Sequence, residues 1–383
     1  MTKFILLLII MVGFGMVAAD LDVALQSFLT SLSGKSSVRV KNNAVKGLFS
    51  LYKAELNHRP KSESEENLRL NSFNETLNAI VYHHQQGDET YNLSLNEFSD
   101  WTPDELAGLR GVQIPEESIK NTSLKKGQRL LTWNGKVAQG RATPPASFDY
   151  TERVVAGTSV PVVLPIKSQG QCGSCYAFAF ITLLEFLHSL QAKSKTALSE
   201  QQIVDCSRMD NGCDGGYFTN TFNYLKSNTW QVNSETFYTY KGVASRCAFR
   251  SATGGGTRFG TLAYARVSVN NAVAMQQALI DYGPLWVSLF VGDNTASGRQ
   301  TSLAFNAYRS GIFQAAGCPT SVTSTNHAVV IVGYGVDTAT NIPYWKVRNS
   351  WGTSWGDSGY FRIRRGVNMC GIESGPFYIG NAG

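Results

Sequence analysis

Every one of the seven cysteines lies after position 171 of a 383-residue chain. That asymmetry splits the chain into two pieces of different make. From Asp20 to Thr143 the composition is polar, the charges are balanced and cysteine is absent; after Pro144 the chain is rich in Gly, Tyr, Trp and Cys. The length exceeds one ordinary domain. At the N-terminus, Lys3, the apolar run Phe4–Val17 and Ala18-Ala19 read as a signal peptide over residues 1–19. The run is short for a span and two glycines interrupt it, and no later stretch is long and apolar enough, so no membrane span is expected after signal removal. Secretion places the cysteines in an oxidising compartment, where an odd count leaves one thiol free. Six cysteines allow fifteen pairings, and spacing does not choose among them.

The formal charge of +6 is spread without runs of Lys or Arg. It bears on solubility and substrate attraction; no nucleic-acid stripe is present. Apolar residues recur at helical spacing in Asn43–Leu56 and in Glu65–Tyr82, with Leu70, Phe73, Leu77 and Ile80 on one face. Three more helices are expected at Cys175–Ala192, Glu200–Cys206 (with Ser199 and Gln202 as a capping box) and Phe218–Ser227. Strands are expected at Leu285–Val291, Ala328–Gly335, Tyr344–Arg348 and Tyr360–Ile363. Helices precede strands, which predicts an α+β protein with a helical lobe, a β-rich lobe and a cleft between them. Ser251–Gly260, with three consecutive glycines, reads as a flexible surface loop, and Gly157–Pro165 as a loop of no assigned purpose.

The stretch Gln169-Gly-Gln-Cys172-Gly173-Ser-Cys175-Tyr-Ala-Phe178 runs straight into the apolar Ala179–Leu190. A Gly-punctuated loop thus delivers Cys175 to the first turn of a buried helix, where unpaired N–H groups and the helix dipole favour a thiolate. Taken alone, a cysteine in a secreted chain is more often a structural disulfide partner beside a core helix. Cys172-Gly-Ser-Cys175-Tyr176 resembles the local signature of papain-like cysteine proteases, and the chain looks nearest the lysosomal cathepsins of the L, F and O types. Glu65, Arg69, Phe73 and Ile80 keep the spacing of that family's propeptide helix motif, with Thr76 and His84 at two usual asparagines. Asn96-Glu-Phe-Ser-Asp100 resembles the second propeptide motif, with Ser94 at a usual Gly. The resemblance implies an inhibitory propeptide over 20–143, cleavage near Pro144-Pro145, and a papain-like peptidase domain over 144–383. It also implies the disulfides Cys172–Cys213, Cys206–Cys247 and Cys318–Cys370, leaving Cys175 free.

A cysteine protease needs a base, and only five histidines exist. His58, His83 and His84 precede the cleavage region, and His188 lies 13 residues along the helix from Cys175, roughly 20 Å at the helical rise. His327 remains, in Asn326-His-Ala-Val-Val-Ile-Val-Gly-Tyr-Gly335, a string similar to the family's histidine motif. A neutral amide can hold the second ring N–H without competing for the proton; Asn349, in Tyr344-Trp-Lys-Val-Arg-Asn349-Ser-Trp351-Gly, matches that role, with Trp351 covering the bond. Gln169 matches the oxyanion residue, which would act with the Cys175 N–H. Gly173, Gly215 and Gly216 would let a peptide backbone approach. By the same resemblance a pocket for the second residue before the cut is lined by Tyr217, Phe218, Ser288, Thr325 and Ala328, with Gly375 at its base. No acid stands there unless Glu373 rotates in, so a bulky apolar side chain is expected.

Cys172 and Cys175 form a two-residue-spaced pair with no second such pair, so zinc is not expected, nor any cofactor. Expected partners are polypeptide substrates, the chain's own propeptide as inhibitor and cystatin-type inhibitors. The protein is expected to be a monomer of the secretory pathway, lysosomal or extracellular. Sequons stand at Asn74, Asn92 and Asn121. Protonation of Asp100 is expected to help acid release the propeptide. The competing reading is a catalytically inactive secreted homologue used for binding.

Overall fold

The structure, a computed structural model, describes residues 21–32, 42–88, 90–115, 131–132, 143–249 and 256–382. The leader, Asn121 and most of the 120–143 segment lie outside them. The chain divides into two compact units, Met1–Asp88 with Leu93–Thr102, and Glu89–Asn92 with Pro103–Gly383.

The first unit holds helices α1 (Leu21–Leu32), α2 (Asn42–Glu55) and α3 (Glu63–Gln86). On α3, Phe73, Leu77 and Ile80 are buried, and Phe73 packs 5.1 Å from the rings of both Phe49 and Tyr52 on α2. Ser62 caps α3 by accepting from the Glu65 N–H, and Gly87 closes it in the left-handed region at φ 66°. The helix extends beyond Glu65–Tyr82 at both ends because these caps, not apolar spacing, set its limits. Helix α1 is not signalled by the sequence reading; Leu21, Leu25, Phe28 and Leu29 form its buried stripe.

The second unit opens with the short helix Pro103–Ala107 and continues through α4 (Cys175–Ala192), α5 (Glu200–Cys206), α6 (Phe218–Ser227), α7 (Ala272–Tyr282) and α8 (Ala296–Asn306). Its principal strands are β1 (Leu262–Arg266), β2 (Leu285–Leu289), β3 (Tyr308–Phe313), β4 (His327–Val336), β5 (Pro343–Arg348), β6 (Tyr360–Arg364) and β7 (Phe377–Asn381). They run in the order β3-β6-β5-β4-β2-β7-β1, antiparallel except for β3 with β6. β2 is buried at every residue and β4 at all but Val336, so each reads as an unbroken apolar run. Helix α4 is long and apolar enough to cross a membrane, but 78% of it is buried within the protein, as befits a helix that is hydrophobic all round. The fold is α+β, with the helices α4 to α6 ahead of the sheet.

One of the two expected loops is packed down and the other is revised in part. Gly157–Pro165 is packed down: Val162, Val163 and Leu164 are buried, and Arg348 on β5 donates to the carbonyls of Leu164 and Pro165, both at 2.7 Å. Residues 251–255 lie outside the described residues. Thr257–Arg258, at the end of the expected flexible loop, is instead a short strand paired with Gln231–Val232.

Candidate active site

Cys175 is the first residue of α4 and fully buried. The N-cap residue Ser174 makes no capping bond to the helix, so the first N–H groups stay directed at the cysteine. Ser174 instead shares a 2.7 Å hydrogen bond with the Tyr240 hydroxyl, which donates to the Gln169 carbonyl at 2.8 Å. The disulfide Cys172–Cys213 ties this loop to the turn at Gly215, and the Gly173 N–H donates to the Cys213 carbonyl at 2.9 Å. Cys206–Cys247 and Cys318–Cys370 are also bonded, which leaves Cys175 as the free cysteine. The Ala328 N–H donates to Cys175 Sγ at 3.3 Å. Burial nevertheless pushes the thiol up to about 11, against the pull of N–H groups from Ala328, Gly111, Tyr176 and Cys175 itself.

His327 opens β4, paired with Leu289 of β2. Its Nε2 lies 2.8 Å from Asn349 Oδ1, which also accepts the Ser350 N–H at 2.9 Å. An oxygen there makes Nε2 the protonated nitrogen; Nδ1 is buried, and the Leu109 backbone also acts on the ring. The Trp351 ring lies 4.8 Å from the imidazole, and Trp355 stands 5.1 Å behind Trp351. Burial pulls His327 down to about 4, with the bonds to Asn349 and the Leu109 backbone opposing. Gln169 is fully buried; its Oε1 accepts from Ser350 Oγ at 2.7 Å, while Nε2 donates to the carbonyls of Cys172 at 2.9 Å and Leu109 at 3.0 Å.

That last acceptor belongs to the segment preceding the expected cleavage region. Residues 109–113 lie in the site. The Gly216 N–H donates to the Gly111 carbonyl at 2.9 Å, the Gln113 N–H to the Gly216 carbonyl at 3.0 Å, and Val112 pairs with Gly216 in parallel. A Cβ on Gly111 would come within 1.7 Å of the Gly173 carbonyl oxygen, and one on Gly173 within 2.5 Å of the Cys213 carbonyl. Both glycines are required by this close approach. Gly111 N–H acts on Sγ.

Asp210 holds the Gly216 turn. Buried, it accepts from Ser207 Oγ at 2.7 Å, the Tyr217 N–H at 3.0 Å and Thr221 Oγ1 at 3.0 Å, and a Cβ on Gly216 would lie 2.4 Å from it. Burial raises Asp210 to about 6. Around Gly375 stand Val322 (3.3 Å from the position of a Cβ), an Arg266 guanidinium nitrogen (3.5 Å) and the Tyr217 hydroxyl (3.8 Å). Ser288 and Ala328 are cross-strand partners, and Ser288 Oγ bonds Thr325 Oγ1 at 2.8 Å. Tyr217 and Phe218 are both fully buried and pack on the same rings: Tyr217 lies 5.3 Å from Trp286 and 5.9 Å from Phe377, and Phe218 is stacked on Phe377 at 4.4 Å, amid Phe180, Tyr264 and Trp286. Glu373 is buried and held by Trp345 Nε1 at 2.8 Å and the N–H groups of Gly366 at 2.7 Å and Asn368 at 3.0 Å, so it is not turned into the pocket. Tyr240, Asp210 and Arg266 escape the sequence reading: Tyr240 and Arg266 act by contacts far along the chain, Asp210 by the turn to Tyr217 and Thr221, and none sits in a recognisable string. Of the sequons, Asn74 is half-buried and Asn92 exposed, its Nδ2 bonding Ser310 Oγ at 3.3 Å.

Residues 144–379 match the papain family cysteine protease model, and residues 49–106 match the cathepsin propeptide inhibitor domain. The chain belongs to the papain family of cysteine proteases. As a papain-family zymogen it carries its own inhibitory propeptide and acts on peptide substrates. It is 31% identical to cathepsin L of Sarcophaga peregrina over 87% of this chain and 92% of the relative, and 34% identical to digestive cysteine proteinase 1 of Homarus americanus over 82% and 88%. Papain-family proforms share its fold. Digestive procathepsin L2 from Tenebrio molitor larval midgut superposes with a TM-score of 0.72 at 29% identity, covering 88% of this chain and 99% of that one, and recombinant stem bromelain precursor with 0.68 at 28%, covering the same shares.

Proposed function

We propose that the chain is an endopeptidase that cuts polypeptides through Cys175, His327, Asn349 and Gln169. The observation that carries this is the 2.8 Å bond from His327 to Asn349, with Cys175 under the Ala328 N–H and Gln169 already holding a peptide carbonyl at 3.0 Å. Once residues 109–113 leave, water and substrate reach the site and the burial that keeps both groups neutral is relieved. His327 Nδ1 takes the thiol proton, and the thiolate adds to the scissile carbonyl carbon. The oxygen becomes negative in reach of Gln169 Nε2 and the Cys175 N–H. Collapse expels the amine, which takes the proton from His327, and leaves a thioester. Water, deprotonated by His327, then releases the acid and regenerates the thiol.

Tyr217, Val322, Ala328 and Gly375 make the walls and base of a pocket for the second residue before the cut, with Arg266 beside its floor. A bulky apolar side chain fits, and a substrate Arg would meet the Arg266 cation. Burying a Leu-sized side chain there contributes ~1.5 to 3 kcal/mol, roughly ten- to a hundredfold in kcat/KM. We further assign the protein to the secretory route, lysosomal or extracellular, as a monomer open to cystatin-type inhibitors, on the leader and the family. The test takes the acid-processed chain and otherwise identical fluorogenic peptides with Leu or Arg at that position. Leu should be preferred by about tenfold or more, and Cys175→Ala should lose turnover. Equal cleavage of both peptides refutes the pocket; turnover of the alanine variant within tenfold of the parent refutes the mechanism.

A further inference from the structure

Arg110 sits at the junction of the segment in the site. Gly111 to Gln113 run along Gly216 beside the Tyr217 pocket, whereas Leu109 is held by Gln169 and the chain before it leads back to the helix Pro103–Ala107. Between the two, the Arg110 side chain reaches α8: a guanidinium nitrogen donates to Ser302 Oγ at 2.9 Å. Ser302 is fully buried, and its helix is braced by Asn306, whose Nδ2 donates to the Ser302 carbonyl at 2.7 Å. Asp293, in the loop before α8, acts favourably on the Arg110 charge, while Arg299 on α8 opposes it. The side chain is half-buried, with a buried hydroxyl to receive it, and Asp293, whose Oδ1 accepts from the Thr295 N–H at 2.9 Å, acts on its charge without an ion-pair contact. Burial lowers Arg110 to about 10, so at neutral pH it enters as a cation.

We propose that Ser302 and Asp293 form a second specificity site, one that takes an Arg or Lys side chain of the substrate on the leaving-group side of the cut. This rests on the endopeptidase reading above. The Tyr217 pocket selects an apolar residue on one side of the bond. The α8 recess selects a cation on the other, and Arg110 occupies it in the zymogen as such a substrate residue would. Lys suits it less well than Arg, having no planar fork to reach the Ser302 hydroxyl while keeping the rest of its charge towards Asp293.

Two measurements test the site, one independent of turnover. In the full-length chain at pH 7, alkylation of Cys175 by iodoacetamide should rise about tenfold in Arg110→Ala, the size of one lost charge-assisted hydrogen bond, and much less in Arg110→Lys. In the acid-processed chain, quenched peptides differing only in the residue after the cut should be cleaved in the order Arg, Lys, Leu, Glu. Arg should exceed Leu by about tenfold, and the Arg-to-Leu ratio should fall towards one in Asp293→Asn. Unchanged alkylation in Arg110→Ala, equal cleavage of the Arg and Leu peptides, or a preference for Glu through Arg299 would each overturn the proposal. A processed chain that cuts none of the peptides, while Arg110→Ala still exposes the thiol, would refute the endopeptidase reading and leave the cation recess standing.

Discussion

In the zymogen Cys175 and His327 are both neutral, and burial is the cause in each: the thiol is raised from 9.0 to about 11 and the imidazole lowered from 6.5 to about 4. A thiol that titrates near 11 has a thiolate fraction near neutrality about 100-fold below that of one near 9. At pH 7 the full-length chain should therefore react with iodoacetamide about 100-fold more slowly than a free cysteine, and processing should reverse the order. A second-order rate measured before and after acid treatment checks this. Equal rates would mean that the covering segment does not control the thiol. Four backbone N–H groups favour the thiolate, yet desolvation outweighs them. The helix N-terminus alone does not make the nucleophile; it prepares a place that becomes reactive when water returns.

At the scale of elements, the site is a meeting of α4 with β4 and the turn at Gly215, and what holds the turn is Asp210. Replacing Asp210 by Ala strands the Tyr217 N–H and two hydroxyls in a dry site. At ~1–3 kcal/mol for a buried group left unsatisfied, the variant should lose about 3 kcal/mol or more, while Asp210→Asn loses less because it keeps one acceptor. Thermal melts of the two variants decide it, and similar losses would mean that charge, not bonding, matters there. This division also explains what the sequence could convey. Helix α4 and strand β4 were legible because their signals are local: an unbroken apolar run and catalytic residue types in short strings. Helix α8 was not, since Thr301, Ser302 and Asn306 are buried polar residues, and a reading by apolar period takes them for surface. For the same reason the packing of Tyr217 and Phe218 on Phe377, distant in sequence, is not legible from the string that holds them.

Across the whole molecule, acid has a different effect on the propeptide unit from the one expected of Asp100. Asp100 is buried, with His58 Nδ1 at 2.7 Å and the Tyr52 hydroxyl at 3.1 Å, and burial raises its carboxyl above the usual range despite both. A raised value means that the folded unit binds this proton more readily than the unfolded chain does. Its contribution to stability is therefore full below the ordinary carboxylate pKa and declines as pH rises through the raised one. Acidification through Asp100 favours the folded unit, so Asp100→Asn should leave the acid-driven loss of the propeptide near its normal midpoint. A time course of processing between pH 4 and 7 tests this; an acid response abolished in the variant would restore Asp100 as the trigger. Release must then begin elsewhere, and the strand at Gly216 shapes its kinetics. Because residues 111–113 pair with Gly216 and fill the site of their own molecule, the bond near Pro144-Pro145 falls to the site of another copy. Maturation becomes a matter of encounters between copies: activity should rise after a lag, the lag should shorten as the stock is concentrated, and a trace of finished enzyme should erase it.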